Sequence, residues 1–119
     1  MNSLKFAAKP FYKSLIEGID KVCKENNVDS THGLAHAMKI GRLTEKAVET
    51  ETTMNEKDVE DVILAAYLHD IDDRKYFTTE NCENAVRVLK ELNISKESIK
   101  KIIQMIELVS FAKNGNTIN

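Results

Sequence analysis

The sequence contains no tryptophan, one proline and four glycines in 119 residues. A chain so poor in Gly and Pro has few of the residues that punctuate strands and build hairpins. Its apolar positions recur at three and four rather than two, so it reads as all-α. Cysteine is scarce too: Cys23 and Cys82 form no CxxC pair and are too few for a disulfide scaffold, which suits two free thiols in a reducing compartment. Neither sign of charge is in excess, with seventeen basic against nineteen acidic residues and a net charge of −2. The strong basic balance behind the simplest case for a nucleic-acid binder is therefore missing. No apolar run approaches the ~18–20 residues of a membrane span, and the first ten residues hold no signal-peptide core, so the expected location is the cytoplasm.

What is present is a globular balance, 42% apolar and 30% charged, in a length that suits one domain over 1–119. The spacing predicts about five helices. The first follows Pro10 and carries Tyr12, Leu15, Ile16, Ile19, Val22 and Cys23 up to Asn26-Asn27. A second begins near Asp29-Ser30-Thr31, with His36, Ile40, Leu43 and Ala47 on one face and His32 four residues before His36. A third opens at Asn55 with the stripe Val59, Val62, Ile63 and Ala66. Thr78 or Thr79 caps a fourth, which buries Ala85, Val88, Leu89 and Leu92 and ends by Asn93. Ser95 caps a fifth, apolar nearly all round and expected to be the buried central element.

Polar residues interrupt this pattern where the core is expected. The third helix's stripe extends to positions 69 and 70, which are His69-Asp70, and the second helix's stripe runs back to His36 and His32. All three histidines of the chain thus fall on faces read as inward. Each taken alone reads as a hydrogen-bonded core histidine, but three together beside Asp70 point to a metal, because a buried charge must be paired or must coordinate an ion. Imidazole and carboxylate donors suit a divalent ion at ~2.0–2.2 Å. The run Ile71-Asp72-Asp73-Arg74-Lys75-Tyr76-Phe77 reads by itself as a solvated helix end. Beside a metal, Asp73, three residues past Asp70, becomes a candidate general acid or base. Gly33 in His32-Gly33-Leu34-Ala35-His36 stands where a zinc protease needs its glutamate, and Lys113-Asn114-Gly115-Asn116 lacks the spacing of a P-loop. The zinc protease is excluded, and the second segment reads first as a turn.

In His36 and in Ala65-Ala66-Tyr67-Leu68-His69-Asp70 the chain resembles the HD-domain superfamily of metal-dependent phosphohydrolases, whose signature is a His, a distant His-Asp doublet and a later Asp. The resemblance runs from about Asp29 to the end of the chain. It implies an HD-like helical bundle in which His36, His69 and Asp70 hold a divalent ion, with manganese, magnesium, iron, cobalt, nickel and zinc not distinguished. His32 resembles an additional histidine found in one branch of that superfamily, which leaves it an alternative ligand to His36 or the next candidate after Asp73 for proton transfer. Arg74, Lys75 and Lys113 are candidates to neutralise substrate phosphates, and the implied substrate is a small phosphate ester, a nucleotide above all. The signature's final Asp does not occur before Asn119. The expectation is a truncated N-terminal part of such a domain, with weakly held metal and a tendency to self-associate. A reading from another class stays open: a non-catalytic helical module that binds a nucleotide or a protein and keeps the His/Asp cluster as a polar network.

Overall fold

The computed structural model describes residues 9–29, 31–49, 53–72 and 82–115, without the side chains of 109–115. Five helices and, among the described residues, no strand make the chain all-α: α1 (Tyr12–Glu25), α2 (Leu34–Glu49), α3 (Glu56–Leu68), α4 (Glu83–Glu91) and α5 (Lys96–Gly115). No helix among these residues is long and apolar enough to cross a membrane.

Helices α1 and α4 follow the sequence pattern closely. Leu15, Ile19, Val22 and Cys23 of α1 are buried against Ala85, Val88 and Leu89 of α4 and its neighbours in one core. Both helices end in the same way. Asn27 (φ 57°) and Asn93 (φ 60°) take the left-handed conformation that an asparagine tolerates better than most residues. Their N–H groups donate to Lys24 O at 3.2 Å and Lys90 O at 3.0 Å, and the next N–H groups, of Val28 and Ile94, donate to Cys23 O at 2.9 Å and Leu89 O at 3.1 Å. The turn saturates the last carbonyls and folds Val28 and Ile94 back onto the core. The proposed caps Thr78 and Thr79 lie outside the described residues.

The central helix is α3, which packs against both α2 and α5. This corrects the expectation for α5, whose Ser98, Ile102 and Ile106 are buried along one side while Leu108 is 67% exposed. Its apolar residues spread over more than one face, and Ile99, Ile103 and Met105 sit at the margins of the core. The inward sector of α3 is wider than its expected stripe: Asp61, Ile63, Leu64, Ala65, Tyr67 and Leu68 are buried, while Val59, Val62 and Ala66 are half-buried. Asn55 caps the helix by accepting from Asp58 N–H at 2.8 Å, and Ser95 caps α5 by accepting from Ser98 N–H at 3.2 Å, as their positions predict.

Helix α2 turns a different face inward from the one its apolar spacing suggests. Leu43 is 55% exposed and Ala47 is also exposed; the buried positions are Gly33, just before the helix, then Ala37 and Gly41. The reason lies across the seam, where the Tyr67 ring of α3 occupies the space that a Cβ at Gly41 would fill. One turn further on, the Tyr67 hydroxyl donates to Glu45 at 2.7 Å, and Tyr12 meets the Tyr67 ring edge-on at 6.0 Å between centroids. Large aliphatic residues would have kept α2 away from α3; small ones let the two backbones close.

Candidate metal centre

The close α2–α3 seam sets His36, early in α2, opposite the doublet that ends α3. His36 and Asp70 are 34 positions apart in sequence, yet Nε2 of His36 lies 2.9 Å from Oδ2 of Asp70. His69 Nε2 approaches the same oxygen at 3.1 Å, and the two imidazole rings lie 5.8 Å apart between centroids. One ligand atom from each of the three residues falls within 4.8 Å of the others.

His69 carries the most telling detail. Its Nδ1 lies 2.8 Å from the carbonyl oxygen of Ala66, an atom that can only accept, so Nδ1 bears the proton. In the neutral ring Nε2 is then an unprotonated lone pair, and it faces a carboxylate oxygen. Two lone pairs at 3.1 Å repel unless a proton, on the ring or on the carboxyl, or a bound cation lies between them. A backbone carbonyl holding the far nitrogen of a metal-ligating histidine is the usual device for fixing its tautomer. The donor set therefore fits a divalent ion. Exposure rises across the cluster, from 14% for the His69 side chain to 23% for Asp70 and 37% for His36, so the site is rooted in the protein and open on the α2 side.

The doublet is also anchored from the side of α4. Asp72 accepts from the N–H groups of Asn84 at 2.8 Å and Ala85 at 3.1 Å, which caps the N-terminus of α4, and the Asn84 amide donates to Ile71 O at 2.9 Å. A carboxylate so engaged at a helix N-terminus serves as a cap. Cys82, just before that helix, has its thiol pushed up to about 11 by burial first and then by the negative charges of Asp72 and Glu107. Cys23 is also raised, by burial and then by Asp20. Both cysteines are free, and neither offers a thiolate nucleophile.

A hollow of about 270 Å³, its open mouth included, adjoins the cluster and is bounded by α1, by the turn before α2, by α2 and by the end of α3. Ile19, Cys23, Ala37 and Ile71 supply its apolar wall, and His32, His36, His69 and Asp70 its polar side. His32 corrects the expectation that all three histidines point inward from helices: it lies in the turn before α2, with its side chain 52% exposed. It stands at the rim with its ring nitrogen beside Asp29 and is not one of the three clustered donors. Asp73, Arg74 and Lys75 lie outside the described residues, and Lys113 falls within α5 in the stretch whose side chains are not described.

Sequence reasoning found the three donors but missed Asp72 and Asn84, which brace the doublet's end through hydrogen bonds that no spacing announces. Asp29, one of the candidate caps for the second helix, accepts from the His32 N–H three residues on. Gly41 carried a usable signal, because a glycine inside a helix pattern often marks a close approach. Comparison of the chain with protein families, with curated proteins and with solved structures finds no match.

Proposed function

We propose that this chain is a metal-dependent phosphohydrolase of the HD kind, with a nucleotide or related phosphate ester as substrate. The observation that supports it most is the convergence of His36 with His69 and Asp70 from two helices, with the His69 tautomer set by Ala66 so that Nε2 faces the cluster. His36, His69 and Asp70 would hold the ion, and when bound it would polarise a phosphoryl oxygen and lower the pKa of water. Asp70 supplies negative charge between two imidazoles, and Ala66 fixes His69. The apolar wall of Ile19, Ala37 and Ile71 limits solvent on one side. Asp73 remains the proposed acid or base, with Arg74, Lys75 and Lys113 as proposed phosphate contacts. The hollow is too small to enclose a nucleotide, so the substrate would lie across its mouth.

The test is turnover of a panel of nucleoside phosphates by the protein supplied with Mn²⁺, Co²⁺ or Mg²⁺. Phosphate release that disappears in His69→Ala supports the reading; no release with any metal argues against it. A second reading has its own observation. Asp70 already lies within hydrogen-bond reach of two imidazoles, so the cluster can satisfy itself with protons alone, as in a non-catalytic module that binds a nucleotide or a protein. Such a module takes up no stoichiometric metal.

A further inference from the structure

Helix α2 carries an outer face that the fold leaves uncovered. Ala37 and Gly41 turn toward α3, and the helical step of about 100° per residue then sets Ile40, Leu43 and Ala47 along an apolar ridge on the solvent side. Leu43 and Ala47 are exposed and Ile40 is half-buried. Lys39, Arg42 and Lys46, all exposed, run along one flank of that ridge, while the other flank descends through the half-buried Thr44 into the protein.

The three cations are unanswered. Among the described residues none of them has an ion pair, whereas Lys9, Lys24, Arg87 and Lys101 each reach a carboxylate. Glu45, three residues from Arg42, is turned away to accept from the Tyr67 hydroxyl at 2.7 Å, and Glu49 lies at the far end of the helix. A cationic strip on a chain of net charge −2 sets this face apart from an acidic remainder.

The layout selects the occupant. Lys39, Arg42 and Lys46 follow at steps of three and four residues, a rise of about 4.5 and 6 Å, which is also the spacing at which a helix presents its own carboxylates. An apolar ridge with cations on one flank fits a rod laid along it, its small apolar side chains on the ridge and its acids toward the strip. Single-stranded nucleic acid calls for aromatic platforms, and α2 has no Phe, Tyr or Trp. A bilayer surface is gripped by bulky Trp, Phe and Leu side chains, and this ridge exposes one leucine and one alanine. A second copy docked through the same face would bring two cationic strips into one interface.

We propose that the outer face of α2 docks an acidic amphipathic helix of a partner protein, and that the docked helix covers the open side of the His36 cluster. His36 stands one turn before Ile40 at the end of the ridge, with its side chain 37% exposed. Docking here is independent of any catalysis at the cluster.

The probe is a synthetic helical peptide of about 18 residues, with Leu and Ala along one face and Glu at steps of three and four along its flank. Fluorescence anisotropy at low salt shows saturable binding to the parent, at least about tenfold tighter than for a peptide of the same composition in scrambled order. The variant Lys39→Glu/Arg42→Glu/Lys46→Glu loses at least about tenfold in affinity. Lys13→Glu/Lys21→Glu/Lys100→Glu makes the same change in net charge at exposed positions of α1 and α5, and it binds as the parent does. In spectra of the metal-free protein, the His36 ring signals shift as peptide is added. Equal binding of the scrambled peptide, an α2 variant that binds like the parent, or a His36 ring that does not respond overturns the proposal. So does a parent that ignores the peptide but sediments with phosphatidylserine vesicles or retains a single-stranded oligonucleotide through the same three cations. Peptide binding by a protein that hydrolyses no nucleotide keeps this surface and removes the phosphohydrolase reading alone.

Discussion

The α1–α4 side of the molecule and the α2–α3 seam are packed by opposite means. On the first, Leu15, Ile19, Val88 and Leu89 are large, fully buried and apolar, and they stabilise the chain through the surface they remove from water. On the second, Ala37 and Gly41 bury little surface of their own, Gly41 lies directly under the Tyr67 ring, and across this close seam His36 comes within 2.9 Å of Asp70. One side supplies stability and the other supplies a site. Substitutions should therefore separate into those that cost stability alone, those that cost metal alone, and those in the seam that cost both.

The largest effect expected is on metal. His69→Ala removes a donor whose side chain is 14% exposed, and Mn²⁺ affinity measured by calorimetry should fall by at least about 100-fold while the helical circular dichroism is kept. Retained affinity would mean that the seam does not build the site. Leu89→Ala sharpens the contrast from the other side. Its side chain is fully buried, so urea denaturation should show a loss of about 2–5 kcal/mol with metal affinity unchanged below the transition.

Gly41→Ala joins the two properties. The added methyl would overlap the Tyr67 ring, and the overpacking should cost about 1–3 kcal/mol. It should also weaken metal binding, because α2 carries His36 away from Asp70. A variant that loses stability but binds metal like the parent would break the link between seam and site.

The smallest effect concerns α3 and α5. Asp61 is 1% exposed, accepts from the Ser98 hydroxyl at 3.3 Å, and has no partner at Oδ1. Burial raises its pKa, opposed chiefly by the bond from Ser98. An Asp whose folded-state pKa is raised holds its proton more tightly folded than unfolded. Its stabilising contribution is present below the unfolded value of ~3.9 and is lost as pH rises toward the folded value. Asp61→Asn should accordingly be more stable than the parent at neutral pH, by about 1 kcal/mol. The advantage should disappear near pH 3, as read from thermal melts across the range.

How much of this was legible in the sequence follows the same division. The inward face of α4 could be read from Ala85, Val88, Leu89 and Leu92 because its burial is large and apolar, which is the signal that periodicity detects. Helix α2 was misread because its inward residues are small, while Ile40, Leu43 and Ala47 form a convincing stripe that the fold leaves half-buried or exposed. His69-Asp70 stood out as ionisable residues in apolar context, and His36 was found beside them although the stripe used to find it is not the buried one. His32 shared that stripe and proved to be a rim residue. Asp29 could be read as a cap at this turn, and it accepts from the His32 N–H; its contact with the His32 ring and the Asp72 cap on α4 were illegible, since each joins a carboxylate to groups whose orientation only the folded backbone defines.

The central claim is that helices α2 and α3 jointly build one metal centre, and His36 tests it most directly because it comes from the helix that does not carry the doublet. Calorimetric titration of the parent and of His36→Ala with Mn²⁺ should show saturable uptake of one ion per chain in the parent and none in the variant. A parent that takes up no ion, or a variant that binds as the parent does, would contradict the account.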